Sequence, residues 1–169
     1  MSAADLVAIA RAIAVVPIMW AIAVDQKAIA LGLFVLAAVS DALDGALARR
    51  SGSIGPRGAL LDPVADKILV VGSLLALTAV GTGWPVTVVT ALTALREGIV
   101  VLLRVRAYAQ GVALPADRLA KVKTAAQMIG VLLIIVGERP WPVLGATLVG
   151  LALLLGLLAL PRYFTAHVT

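Results

Sequence analysis

The stretch DALDGALARRSGSIGPRGALLDPVAD, residues 41–66, is the most informative part of this chain. It follows the pattern D-x2-D-G-x2-A-R-x8-G-x3-D-x3-D, with aspartates at Asp41, Asp44, Asp62 and Asp66. The sequence on either side is apolar enough to be buried in lipid. A carboxylate in such surroundings is costly, so a functional role is the first hypothesis for all four.

The overall composition places these acids in a membrane protein. The chain has 169 residues, of which 62% are hydrophobic and only 14% are charged, whereas a soluble domain has about 25% charged residues. Cysteine is absent, which excludes disulfides and thiolate metal sites. Any metal would therefore be held by oxygen ligands or by His167.

The hydropathy pattern predicts an all-α integral membrane protein with a single domain over 1–169. The apolar runs are each near the roughly 20 residues that a helix needs to cross a bilayer. They cover residues 6–24, 28–48, 59–80, 85–107, 118–136 and 142–161. Turn-forming residues rich in glycine, proline and serine separate most of them.

Basic residues predict the orientation of these spans. They concentrate at the second and fourth breaks and after the last span: Arg49, Arg50, Arg57, Arg104, Arg106, Arg118, Lys121, Lys123 and Arg162. The odd-numbered breaks carry only Lys27 and Arg139. The positive-inside tendency therefore places both termini in the cytoplasm. The polar residues then converge on a cavity open to the cytoplasm.

The aspartate spacing predicts a metal site. On helices, Asp41 and Asp44 are three residues apart and Asp62 and Asp66 are four apart, so each pair shares a face. Four close carboxylates repel one another unless cations neutralise them. All-oxygen ligation favours Mg²⁺ or Mn²⁺, with Ca²⁺ as a further candidate, and four acids suit two ions.

Three other residues of the pattern suit a diphosphate. Gly45 and Gly58 remove side-chain bulk where a ligand or another backbone comes close. Arg49 offers a planar fork to a phosphate. The competing interpretation is structural: Asp41, Asp44 and Arg49 would form ion pairs at a helix end.

The segment resembles the signature of the CDP-alcohol phosphotransferase family, membrane enzymes that transfer a phosphatidyl or similar group from a CDP-activated donor to an alcohol and release CMP. The motif residues present are Asp41, Asp44, Gly45, Ala48, Arg49, Gly58, Asp62 and Asp66. The resemblance implies that the four aspartates bind the metals and that Asp66 also serves as general base. It further implies that Asp44, Gly45, Ala48, Arg49 and Gly58 contact the CDP moiety, and that the protein is a homodimer. Spacing alone leaves open whether Asp66 is a base or chiefly a ligand.

A second basic cluster bears on the acceptor alcohol. It consists of Arg96, Arg104, Lys121 and Lys123. The segments around these residues resemble those of bacterial phosphatidylglycerophosphate synthases, which implies CDP-diacylglycerol and sn-glycerol 3-phosphate as substrates and these residues as the site of the acceptor phosphate. Alternatively, Arg96 pairs with Glu97 or a motif aspartate, and the lysines orient the protein or bind anionic lipids.

The sequence departs from this branch near its beginning. Where an Asn-x2-Thr-x2-Arg element is common, the chain has Asp5, Ala8 and Arg11. Arg11 either contributes to the site or extends to the cytoplasmic surface. Gly145, Gly150 and Gly156 are interpreted as ordinary membrane-helix glycines rather than packing positions.

Other functions remain as alternatives at this point. One is a cardiolipin synthase that uses phosphatidylglycerol as the acceptor, or another CDP-alcohol phosphotransferase. A different class is a cation channel or transporter, because intramembrane acids also mark ion pathways; here, however, the acids gather on one side. We expect membrane lipids and no nucleic acid as partners, in the inner or plasma membrane of a bacterium.

Overall fold

Helices make up nearly all of the described chain in this computed structural model. The structure describes residues 3–51, 58–111 and 118–158, and side chains at 6–40, 64–111, 119 and 122–158. The helices are α1 (Ala3–Ala23), α2 (Lys27–Ser51), α3 (Gly58–Ala79), α4 (Trp84–Ala109), α5 (Arg118–Val136) and α6 (Trp141–Leu158). The all-α fold class is confirmed for these residues, and the described helix bounds lie within a few residues of the predicted runs.

Several of these helices have the character of membrane spans. In the described ranges, three stretches are long and apolar enough to cross a bilayer, namely Leu6–Ala23, Trp84–Ala109 and Trp141–Leu158. Lys27–Ser40 and Val122–Val136 are shorter apolar helices within the described residues. Large apolar side chains also face outward, for example Leu36 at 67% exposure. A membrane protein accounts for such a surface, and the crossing of all six helices stays a prediction.

The core lies where α3 meets its neighbours. α3 packs against α1, α4 and α5, while α1 also packs against α2, and α6 against α4 and α5. The largest fully buried apolar side chains are Ile18, Phe34, Leu69, Leu74 and Ile134. Because α3 occupies this position, residues near its beginning come close to α1 on one side and α4 on the other.

Glycines with positive φ stand at the breaks between helices. Gly81 follows α3 with φ 80°, Gly111 follows α4 with φ 76°, and Gly137 follows α5 with φ 80°. A glycine adopts this left-handed conformation without the steric cost that a Cβ would bring. Each of these glycines lies between two of the predicted apolar runs.

The interpretation of Gly145 as an ordinary helix glycine was wrong. A Cβ there would lie 2.5 Å from the carbonyl oxygen of Gly130 and 2.7 Å from Cγ1 of Ile134. The two glycines therefore let the α5 and α6 backbones approach closely, as small residues do between membrane helices. Gly150 fits the interpretation as an ordinary helix glycine, since the nearest atom to a Cβ placed there would be Cγ1 of Val89 at 3.8 Å.

Candidate active site

The first half of the aspartate motif lies on a continuous helix. α2 runs to Ser51, so Asp41 and Asp44 are three residues apart on helical backbone and share a face. α3 begins at Gly58, which gives Asp62 and Asp66 the same relation at a spacing of four. The following predicted residues have side chains outside the described set: Asp41, Asp44, Gly45, Ala48, Arg49, Gly58, Asp62 and Lys121.

Asp66 is the motif residue whose side chain the structure describes. Its Oδ1 accepts a hydrogen bond from Nη1 of Arg11 at 3.0 Å. The Arg11 side chain is 2% exposed and that of Asp66 is 20% exposed. The guanidinium is thus buried against the carboxylate, which contradicts the interpretation that Arg11 extends to the surface. Arg11 holds Asp66 in a defined orientation.

Lys67 faces a different partner from its neighbour Asp66. Consecutive residues on a helix point about 100° apart, so Asp66 is directed towards α1 while Lys67 is directed towards α4. The Lys67 ammonium donates to Oε2 of Glu97 at 2.5 Å. The metal and base candidate therefore adjoins a second cluster of charges through the backbone of α3.

We define the Glu97 cluster as Glu97, Lys67, Arg96, Lys123 and Gln127. Oε1 of Glu97 accepts hydrogen bonds from Nη1 of Arg96 at 2.8 Å, from the Lys123 ammonium, and from Nε2 of Gln127 at 3.5 Å. The pairing of Arg96 with Glu97, which the sequence analysis gave as the structural alternative to a phosphate contact, is observed. Glu97 and Lys67 were absent from the predicted site, although Glu97 stands beside Arg96 and Lys67 beside Asp66.

The Glu97 cluster is buried and carries excess positive charge. Glu97, Lys123 and Arg96 are 2%, 3% and 6% exposed. Among the described side chains, three cations contact one carboxylate, which leaves two positive charges uncompensated. Burying unpaired charge is costly. The arrangement is therefore suited to receive an anion.

Arg104 and Lys121 are the other predicted acceptor contacts. The structure describes the backbone position of both residues and the burial of the Arg104 side chain. Arg104 is partly buried and lies eight residues after Arg96 on α4, which is about 12 Å along the helix axis. Lys121 is two residues before Lys123 on α5. Their roles toward a phosphate stay predictions.

Gly156 on α6 completes the surroundings of the cluster. Its carbonyl oxygen accepts a hydrogen bond from Nη2 of Arg96 at 2.8 Å. A Cβ at Gly156 would lie 2.9 Å from Cδ of Lys123 and 3.0 Å from Nε and Cζ of Arg96. The interpretation of Gly156 as an ordinary helix glycine was wrong, since the missing side chain makes room for two buried cations.

A cavity of about 440 Å³ lies at the other end of the helices. Its lining includes Asp25, Lys27, Thr82 and Gly137, which stand where α1, α3 and α5 end and α2 begins. Lys27 and Asp25 are exposed there. This cavity is remote from Asp66 and the Glu97 cluster, so it forms no part of the candidate site.

The donor set suits a hard divalent cation. Four carboxylates on two helix segments offer oxygen ligands only, as Mg²⁺ and Mn²⁺ prefer. Asp66, the acid whose side chain is described, is partly exposed and oriented by Arg11. Within the described residues no group of three or more metal-ligating side chains occurs, and the side chains of Asp41, Asp44 and Asp62 lie outside that set.

The chain is similar to proteins of a known family. A family model described as CDP-alcohol phosphatidyltransferase matches residues 1–159. A Cereibacter sphaeroides protein named CDP-diacylglycerol–glycerol-3-phosphate 3-phosphatidyltransferase is 42% identical over 110 residues, which cover 64% of this chain and 49% of that relative. Proteins of the same name from Shigella flexneri and Escherichia coli K12 are 34% identical over 137 residues, covering 79% of this chain and 75% of each relative.

Proposed function

The chain belongs to the CDP-alcohol phosphatidyltransferase family, and from this premise we propose that it transfers a phosphatidyl group from CDP-diacylglycerol to sn-glycerol 3-phosphate. The products are phosphatidylglycerophosphate and CMP. The relatives from C. sphaeroides and E. coli carry names that describe this reaction.

The observation that carries the choice of acceptor is the excess positive charge of the Glu97 cluster. Lys67, Arg96 and Lys123 surround one carboxylate in a buried position, and Lys67 directly follows Asp66. A phosphate monoester brings the negative charge that this arrangement lacks. Its hydroxyl group would then lie toward the aspartate motif. A neutral alcohol would leave the cations uncompensated.

The aspartate motif supplies the donor half of the proposed site. Gly45, Ala48 and Gly58 are small and allow the diphosphate to approach the backbones of α2 and α3, while Asp44 and Arg49 contact the CDP moiety. When bound by Asp41, Asp44, Asp62 and Asp66, two Mg²⁺ or Mn²⁺ ions supply positive charge that stabilises the diphosphate.

Asp66 is the proposed general base. It takes the proton of the acceptor hydroxyl, the acceptor oxygen forms a bond to the phosphorus that carries diacylglycerol, and the bond from that phosphorus to CMP breaks. Arg11 orients the Asp66 carboxylate at 3.0 Å. Arg104 and Lys121 extend the acceptor site along α4 and α5.

The proposed architecture follows from the two kinds of substrate. Six spans surround a polar cavity with both termini in the cytoplasm, because basic residues flank the even-numbered breaks. The diacyl chains reach the site laterally from the bilayer, while glycerol 3-phosphate and CMP exchange with the cytoplasm. We propose a homodimer in a bacterial inner or plasma membrane, on the basis of the family alone.

Purified protein given CDP-diacylglycerol, Mg²⁺ and one acceptor at a time tests the reaction. We expect CMP release with sn-glycerol 3-phosphate, no release when a chelator removes the metal, and recovery when Mg²⁺ or Mn²⁺ is restored. CMP release with phosphatidylglycerol but not with glycerol 3-phosphate would instead identify a cardiolipin synthase. Release with neither acceptor would contradict the proposal.

A further inference from the structure

Glu97 stands where four helices meet. Its carboxylate receives Lys67 from α3, Arg96 from its own helix α4, and Lys123 from α5, while Gly156 of α6 accepts from Arg96. Glu97 itself is 2% exposed. A carboxylate so enclosed contacts neighbouring side chains rather than solvent, so its effect on a substrate acts through those neighbours.

The Glu97 carboxylate holds the side chains of Lys67, Arg96 and Lys123 in place. Lysine side chains have many rotamers, and fixing them costs conformational entropy; like charges also repel at short range. Glu97 offsets both effects by accepting from the two ammonium groups. Each ammonium has three N–H donors, so a bond to Glu97 leaves each lysine with further donors for an anion.

Gly156 provides the space in which Arg96 and Lys123 reach Glu97. The distances from a Cβ placed at Gly156 to these two side chains are 2.9 to 3.0 Å. An added methyl group would displace parts of both side chains that are held at their ends by Glu97. Because a methyl group is neutral, the charge of the cluster would stay the same. Any change in acceptor binding would then come from the displaced side chains.

We propose that Glu97 and Gly156 are positioning residues that fix Lys67, Arg96 and Lys123 in the arrangement that binds the acceptor phosphate. This inference rests on the proposed function. Neither residue needs to touch the substrate. A role in positioning affects the Michaelis constant for the acceptor and spares the one for CDP-diacylglycerol.

The first test compares Glu97→Gln and Glu97→Asp in the purified full chain. We expect Glu97→Gln to raise KM for glycerol 3-phosphate by about tenfold or more, as when a buried charge pair loses one partner, with KM for CDP-diacylglycerol unchanged. Glu97→Asp keeps the charge and restores part of the affinity. A lower KM for the acceptor in Glu97→Gln would show that Glu97 competes with the phosphate, and would overturn the proposal.

The second test uses Gly156→Ala, because Glu97→Gln leaves the buried Arg96 and Lys123 and the partly buried Lys67 without a carboxylate, and that variant is at risk of failing to fold. Gly150→Ala on the same helix and Gly98→Ala beside Glu97 are matched controls, since their Cβ atoms would meet Val89 at 3.8 Å and nothing within 4 Å, respectively. We expect only Gly156→Ala to raise KM for glycerol 3-phosphate, severalfold, with its thermal unfolding midpoint in detergent near that of the wild type.

The outcomes separate this inference from the proposed function. A wild type that releases no CMP with glycerol 3-phosphate contradicts the function itself. An active wild type, together with an unchanged acceptor KM in Gly156→Ala and in any folded Glu97→Gln protein, contradicts the positioning role. A uniform loss of kcat with both KM values unchanged also contradicts it, since binding of the acceptor would then be intact.

Discussion

Asp66 and Lys67 are neighbours in the chain, but their side chains contact different helices. Asp66 contacts Arg11 at 3.0 Å and Lys67 contacts Glu97 at 2.5 Å. The helix directs one side chain to each neighbouring helix, so a single turn of α3 links the proposed base to the proposed acceptor pocket. Of the Asn-x2-Thr-x2-Arg element, this chain keeps only Arg11, and the contact with Asp66 brings Arg11 to the candidate site.

We predict that Asp66→Asn lowers kcat. The amide keeps the size of the side chain but takes no proton, so kcat at saturating Mg²⁺ should fall about 10²-fold or more, the usual contribution of a positioned general base. CMP release measured across a range of metal concentrations checks this. Asp25→Asn, at an exposed position beyond α1, is the control and should behave like the wild type.

Two results would argue against the base role. Full turnover by Asp66→Asn once the metal is saturating would leave Asp66 as a ligand only. Equal losses in Asp66→Asn and Asp25→Asn would point to a general effect of removing charge.

α5 and α6 approach each other closely at a pair of glycines. Gly130 on α5 and Gly145 on α6 face each other so closely that a Cβ at Gly145 would lie 2.5 Å from a backbone oxygen. A rotamer change relieves a clash with a side chain but not with backbone. The α5 and α6 pair thereby holds Lys123 and Gly156 at a fixed separation, which connects helix packing to the Glu97 cluster.

Gly145→Ala should therefore destabilise the protein. Alanine favours a helix over glycine by about 1 kcal/mol, but overpacking against backbone costs roughly 1–3 kcal/mol, so the net change should be unfavourable. The thermal unfolding midpoint in detergent should fall for Gly145→Ala and should stay equal or rise for Gly150→Ala. An unchanged midpoint in Gly145→Ala would mean that the helices separate at no cost.

In the part of the molecule that the structure describes, the buried charged groups gather away from the ends of α1, α3 and α5. Arg11, Asp66 and the Glu97 cluster lie on one side of the 440 Å³ cavity region formed by those helix ends. This polarity is what a transferase with soluble and lipid substrates requires.

The natural absence of cysteine makes the proposed orientation directly testable. Single cysteines at Gln26, Gln110 and Glu138 replace exposed residues next to helix ends. In intact cells, a membrane-impermeant maleimide should label Gln26→Cys and Glu138→Cys. It should label Gln110→Cys only after the membrane is opened. The reverse pattern would place the proposed site on the outer side.

The helices, the membrane class and the donor motif could be predicted from the sequence, because all three depend on local information. An apolar run of about 20 residues forms a membrane helix wherever it packs, glycines such as Gly111 end helices locally, and spacings of three and four put Asp41 with Asp44 and Asp62 with Asp66 on shared faces. The family and its chemistry follow from that motif, as the match over residues 1–159 confirms.

Which charged side chains contact one another depends on the tertiary structure. Arg11 and Asp66 are 55 positions apart in the chain, Lys67 and Glu97 are 30 apart, and Glu97 and Lys123 are 26 apart. No helical period relates residues on different helices. Their contacts depend on how α1, α3, α4 and α5 pack. They also depend on Gly156, because a side chain at that position would collide with Arg96 and Lys123.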